Sequence, residues 1–165
     1  MLSTTDYLRL LPKAELHCHF VSVMRVPTLI ELAAKHDVAL KTDDLDALLE
    51  YEGLPDFLDV FNAAHQALTT GDEIARVAYE GVEDAVRDGN LRYREYFINP
   101  DNFAPRGIDY PSLIDAITDG LTQGERDFGV GFRIVAAINR SLPAAAATAM
   151  VETVLAHPRD VVVGI

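Results

Sequence analysis

The sequence predicts an α/β chain, a parallel sheet flanked by helices that covers about the first four strands of a TIM (β/α)8 barrel. Three observations carry this. Strand patterns alternate with helical ones along the whole chain, the signature of βα units around a parallel sheet. Two histidines, His17 and His19, close the first strand pattern, at the end where such a barrel gathers its chemistry. The 165 residues also fall well short of the roughly 250 that a complete barrel needs.

The first strand is Lys13 to His19. A helix opens near Pro27, a good first-turn residue, and runs to about His36. Two further helices are expected, over Asp43 to Tyr51 and Leu54 to Leu68, before the main one. That main helix starts at Thr70-Gly71-Asp72-Glu73, a capping box, and carries Ile74, Val77, Ala78, Gly81, Val82, Ala85 and Val86 at helical spacing. Gly89-Asn90 ends it. The second strand, Leu91 to Ile98, leads into a loop rich in Pro and Gly and then a helix from about Pro111 to Phe128. Val130 to Ile138 is the third strand. Ala144 to His157 reads as a helix closed by Pro158, and Asp160 to Ile165 as the fourth strand.

No linker, solenoid-spaced repeat or composition shift divides the chain, so residues 1–165 read as one unit, the N-terminal half of a barrel. The C-terminal half is expected to lie outside these residues. A half-barrel exposes strand edges that a closed barrel pairs, and a second chain or copy would complete it.

Composition fits a soluble globular domain, with 49% hydrophobic and 24% charged residues and no apolar run of transmembrane length. Met1-Leu2-Ser3-Thr4-Thr5-Asp6 lacks a basic region followed by an apolar stretch, so no secretory signal is read there. With a single cysteine, this favours the cytoplasm. A net charge of -12 repels phosphate backbones and anionic lipid surfaces, which argues against nucleic-acid or membrane partners.

Side chains alternate along a strand, so His17 and His19 share one face about 6.6 Å apart along the chain, and one metal ion can accept both. Alone the pair is a weak signal, more often two polar residues at an exposed strand end than a metal site. Its surroundings carry more. Leu11-Pro12-Lys13-Ala14-Glu15-Leu16-His17-Cys18-His19, followed by Arg25, Thr28-Leu29 and Leu32-Ala33, resembles the opening of the adenosine/AMP deaminase family of metal-dependent hydrolases. Leu54-Pro55-x-Phe57-Leu58-x-x-Phe61, Tyr93-x-Glu95, Asn99-Pro100, Arg133-x-Val135 with Arg140, and the closing Val162-Val163-Gly164-Ile165 continue the resemblance in order, across the first half of that family.

The resemblance implies a barrel of the metallo-dependent hydrolase type and an enzyme that hydrolytically deaminates an aminopurine nucleoside or base. It makes His17 and His19 two ligands of a catalytic Zn2+. A third histidine, an aspartate and the proton-delivering glutamate would come from later segments, so no catalytic residue is expected among these 165 and the chain alone is expected to be inactive. One departure lies inside the covered region. Phe20-Val21-Ser22 stands where the family has Leu-Asp-Gly, and a valine cannot accept a hydrogen bond from a sugar hydroxyl. Ser22 remains as a polar contact for the substrate. By the same resemblance Phe57 and Phe61 form an apolar flap over the base, although an ordinary (i, i+4) core pair has the same spacing. Asn99 could bond a ring edge or simply turn the chain before Pro100.

Other polar residues read as structural. Tyr93, Glu95 and Phe97 share a strand face, and Glu95 is expected to pair with Arg133 inside the barrel. Cys18, facing away from the histidines, reads as a small buried residue. His36, His65 and His157 are expected at helix surfaces or ends. The alternative to an enzyme is a non-catalytic half-barrel that engages a partner chain through its open edge. A different amidohydrolase sharing only His-x-His is disfavoured by Leu54-Pro55 and Tyr93-x-Glu95.

Overall fold

A computed structural model describes residues 2–165. Its strands β1 (Lys13–His19), β2 (Leu91–Ile98), β3 (Gly131–Ala136) and β4 (Val162–Gly164) form one parallel sheet in the order β1-β2-β3-β4. The crossovers contain the helices α2 (Val26–Lys35), α3 (Leu54–Ala67), α4 (Gly71–Gly89), α5 (Tyr110–Phe128) and α6 (Ala144–Ala156). Each strand leads to a helix and back to a parallel neighbour, which is the first half of a (β/α)8 barrel.

The alternating pattern of the strands is realised as two unlike faces. Tyr96, Ile98, Phe132, Ile134 and Ala136 are buried against the helices. The opposite face holds Tyr93, Glu95 and Phe97 half-buried and Arg133 and Val163 exposed. Alternate residues of one strand therefore feed a core and an open concave surface.

The core lies on the helix side. Ile74, Val77, Ala78 and Val82 of α4 and Leu113, Ile114, Ile117 and Leu121 of α5 are almost wholly buried, each large side chain contributing about 1.5–3 kcal/mol. The two helices touch backbone to side chain because α5 presents glycine there. A Cβ on Gly120 would strike the carbonyl oxygen of Ala75, and one on Gly124 would lie 2.9 Å from Val82 Cβ.

Helix α4 begins as its sequence specifies. Thr70 accepts from the Glu73 amide at 3.3 Å and Glu73 caps back to the Thr70 amide at 3.1 Å. The buried Glu73 also receives Lys35 Nζ and His36 Nε2, both at 2.7 Å, clamping the end of α2 to the start of α4. Burial alone would raise its pKa, but these donors and the Thr69 amide outweigh that and hold the carboxyl well below its usual range. The αL residue Asn90 closes α4.

Several elements depart from expectation. A helix α1 (Thr4–Leu10) precedes β1, opened by a Ser3–Asp6 capping box, and buries none of its side chains. The helix expected over Asp43 to Tyr51 shrinks to a 3-10 turn, Ala47–Leu49. Asp44 accepts from the amides of Asp46 and Ala47 at 3.1 and 2.9 Å, a local side-chain bond that competes with helix formation. Strand β4 is three residues long, Val162–Gly164, and pairs with β3.

No helix among the described residues is long and apolar enough to cross a membrane. Gly120→Ala is expected to destabilise the fold by about 1–3 kcal/mol through the forced separation of α4 and α5. Urea denaturation measures this, and an unchanged midpoint would mean that the two helices are not in register as described.

Candidate metal centre at the mouth of the half-barrel

A bulge in β1 sets the direction of the histidines. Glu15 is in register with Arg94 and Cys18 with Tyr96, so three steps along β1 match two along β2. Glu15 thereby turns to the helix side and pairs with Arg94 Nε at 2.5 Å, while Arg94 Nη1 donates to the Gly81 carbonyl of α4 at 3.2 Å. Cys18 also faces the helices, where burial pushes its thiol up to about 11. His17 and His19 keep the concave face.

Their rings lie 5.4 Å apart, centroid to centroid. Two imidazoles on one tetrahedral zinc, with Zn–N of about 2.0–2.1 Å, bring their centroids to about 5 Å. His17 lies flat on Phe97 at 4.0 Å with 6° between the planes, which fixes its orientation. His19 is half-buried, and burial together with the neighbouring His17 lowers its pKa. A neutral imidazole is the form a metal requires. Among the described residues no third His, Cys, Asp or Glu joins the pair. The two therefore fit a metal as part of a ligand set, not as a whole one.

Of the other residues singled out in the sequence, Phe61 touches the pair directly. Phe61 of α3 meets His19 edge-on at 5.7 Å and Phe57 at 5.7 Å. An apolar cavity of about 140 Å3 lies between α2, α3 and the 3-10 turn Phe20–Val23, walled by Val21, Met24, Leu49, Phe57 and Phe61, with Ser22 at its edge. Val21 is 4% exposed and part of the core, while Ser22 is exposed. A larger groove, about 750 Å3, runs along the outer side of β1 by Lys13, Asp84 and Arg94 and carries neither histidine. Asn99 follows β2 and its Nδ2 donates to the Ala137 carbonyl at 3.2 Å, so its carboxamide ties two loops together.

Two structural expectations are corrected. Glu95 and Arg133 are register partners, but among the described residues no ion pair joins them. The Tyr93 hydroxyl donates to Glu95 at 2.9 Å and Arg133 Nη1 donates to the Phe132 carbonyl at 2.6 Å. Each group thus takes a partner on its own strand in place of the other. His65 lies in the last turn of α3, as expected of a helix end, but it is 5% exposed and so not at the surface. Its Nδ1 lies 3.0 Å from the Phe61 carbonyl and its Nε2 3.3 Å from Asn102 Nδ2. His36 and His157 sit at the C-terminal caps of α2 and α6, as expected. The stacking of Phe97 and the burial of His65 had no sequence signal beyond aromatic spacing on β2 and α3.

A half-barrel of parallel βα units carries its His-x-His pair at the C-terminal mouth of the first strand, the end where such barrels gather their chemistry. An amidohydrolase from Burkholderia ambifaria, solved with bound Zn, superposes with a TM-score of 0.86 at 31% identity, over 100% of this chain and 46% of its own. The adenosine deaminase family profile matches residues 12–165. The chain belongs to the adenosine deaminase family. An adenine deaminase of Cupriavidus necator is 31% identical over 163 residues, 97% of this chain and 46% of its own length. A Streptomyces coelicolor relative named for both adenosine and adenine deamination is 35% identical over 140 residues, 79% of this chain and 40% of its own. The chain thus spans somewhat under half the length of these relatives.

Burial lowers the His65 pKa to about 4, with Arg106 and His19 adding to the shift. Its folded value is therefore below the unfolded one of about 6.5. The stability that depends on neutral His65 is complete above pH 6.5 or so and declines as pH falls toward about 4. A 15N NMR titration should place its midpoint near 4, and a midpoint near 6.5 would mean a solvated ring.

Proposed function

We propose that this chain supplies the first metal ligands and part of the substrate wall of a zinc-dependent aminohydrolase that deaminates an aminopurine, the free base in preference to the nucleoside. The observation that carries it is the paired orientation of His17 and His19, ring centroids 5.4 Å apart, at the mouth of the first strand. The chain is read as the N-terminal half of the barrel, and the remaining ligands and the proton donor come from residues outside these 165.

A bound zinc with an open position lowers the pKa of water toward about 7 and so makes a hydroxide nucleophile available at neutral pH. This chain's own residues do the rest of what can be assigned to it. His17 and His19 would hold the ion, and Phe97 beneath His17 keeps that ring from turning. Phe61 shields His19 from water on the α3 side, and with Phe57 offers an apolar face to a purine ring. Attack of water at the amino-bearing carbon and departure of ammonia then need the proton donor supplied elsewhere.

Preference for the base follows from Val21. It is buried in the core, and no carboxylate at that position can accept from a ribose hydroxyl. Ser22 is exposed beside it and is assigned to polar contact with substrate, and Asn99 to the ring edge or the turn that frames it. The names of the relatives, which include adenine deaminase, agree with this reading. The reading places the protein in the cytoplasm.

In the full-length protein, His17→Ala and His19→Ala should each weaken zinc binding by at least about tenfold, since loss of an outer partner alone costs that much. Zinc content by mass spectrometry after dialysis checks this, and unchanged content would remove the ligand assignment. Free adenine should show the higher kcat/KM, adenosine falling behind by about tenfold or more. Equal values for the two would end the argument from Val21.

A further inference from the structure

We propose that His65 is a positioning residue, which ends a directional hydrogen-bond chain from the loops after β2 and β3 and thereby holds Phe61 edge-on against His19. The inference rests on the reading that His17 and His19 form the metal centre.

The chain of bonds can be followed atom by atom. The Ser141 amide donates to Asn139 Oδ1 at 3.0 Å. Asn139 Nδ2 then donates to Asn102 Oδ1 at 3.5 Å, and Asn102 Nδ2 to His65 Nε2 at 3.3 Å. His65 Nδ1–H donates to the Phe61 carbonyl at 3.0 Å. A backbone donor at one end and a backbone acceptor at the other leave one consistent set of protons, with His65 neutral and protonated on Nδ1. Arg106 supports the same loop, its Nη2 donating to the Asn102 carbonyl at 2.6 Å and its Nε to the Leu68 carbonyl at 3.2 Å.

A leucine would fill this buried site without needing partners, whereas a buried imidazole is costly unless both nitrogens are bonded. Here each nitrogen joins a different segment. The ring also packs between Phe61 at 4.7 Å and Phe103 at 5.4 Å. Phe61 is therefore fixed on one side by His65 and touches His19 on the other, at 5.7 Å. The loop after β3, the loop after β2 and α3 are thus coupled to the face of the metal centre through one side chain.

The test uses the full-length protein with selectively labelled His and Phe. The parent should show His65 as the Nδ1–H tautomer by 15N NMR and a nuclear Overhauser contact between the Phe61 and His19 rings. His65→Leu should lose that contact and raise KM for the aminopurine about five- to tenfold, as loss of a net hydrogen bond does, while kcat holds. His65→Gln, whose amide oxygen can still accept from Asn102, should restore both. Should His65→Leu not fold, Asn102→Ala cuts the chain one link earlier and should weaken the same contact. An Nε2–H tautomer in the parent, or an unchanged ring contact and KM in His65→Leu, overturns the proposal. If the parent turns over no aminopurine, the functional reading fails, and the tautomer and ring contact alone decide the role of His65.

Discussion

The bulge between Glu15 and Cys18 governs the use of the whole sheet. Without it, strict alternation from His19 would place Glu15 on the concave face, and Cys18 would remain opposite the histidines but Glu15 would lose Arg94. With three steps of β1 matched to two of β2, the acid reaches Arg94 beneath α4 and both imidazoles stay on the concave side. The ion pair is half-buried and anchored to the Gly81 carbonyl, so the first strand is fixed to α4 as well as to its neighbour. Bulges recur beside functional sites because they re-aim side chains at little cost to pairing.

The two faces of the sheet then take different tasks. The helix side is closed, with glycines at α5 letting α4 approach to backbone contact. The concave side is lined by groups that are polar or aromatic and left open, including Tyr93, Glu95, Phe97 and Arg133. Packing lies on one side and the candidate site on the other, the division that lets barrel folds carry many activities on one scaffold. The α3 segment bridges the two, since Val60, Ala63 and Ala64 face the core while Phe57 and Phe61 reach the mouth.

Much of this was legible in the chain. Alternation of periods gave the strands and helices, Thr70 and Glu73 marked the start of α4, and Asn90 its end. The histidines were legible through spacing and neighbouring residues together. The helix expected at Asp43 to Tyr51 failed because Asp44 satisfies nearby amides itself, a competition that apolar spacing does not register. The Glu95–Arg133 pair failed because register adjacency does not compel pairing when the Tyr93 hydroxyl and the Phe132 carbonyl are nearer partners.

By itself the sequence determined the alternation of strands with the main helices, the parallel sheet, the shared face of His17 and His19, and the absence of a carboxylate at Val21, because these depend on local period and residue chemistry. Only the tertiary structure decided which side of β1 Glu15 takes, that His65 is buried and neutral, and that Asn102 and Asn139 meet it. Those facts join residues 37 positions apart and more. Such contacts are set by strand register and helix packing, which no local pattern along the chain encodes.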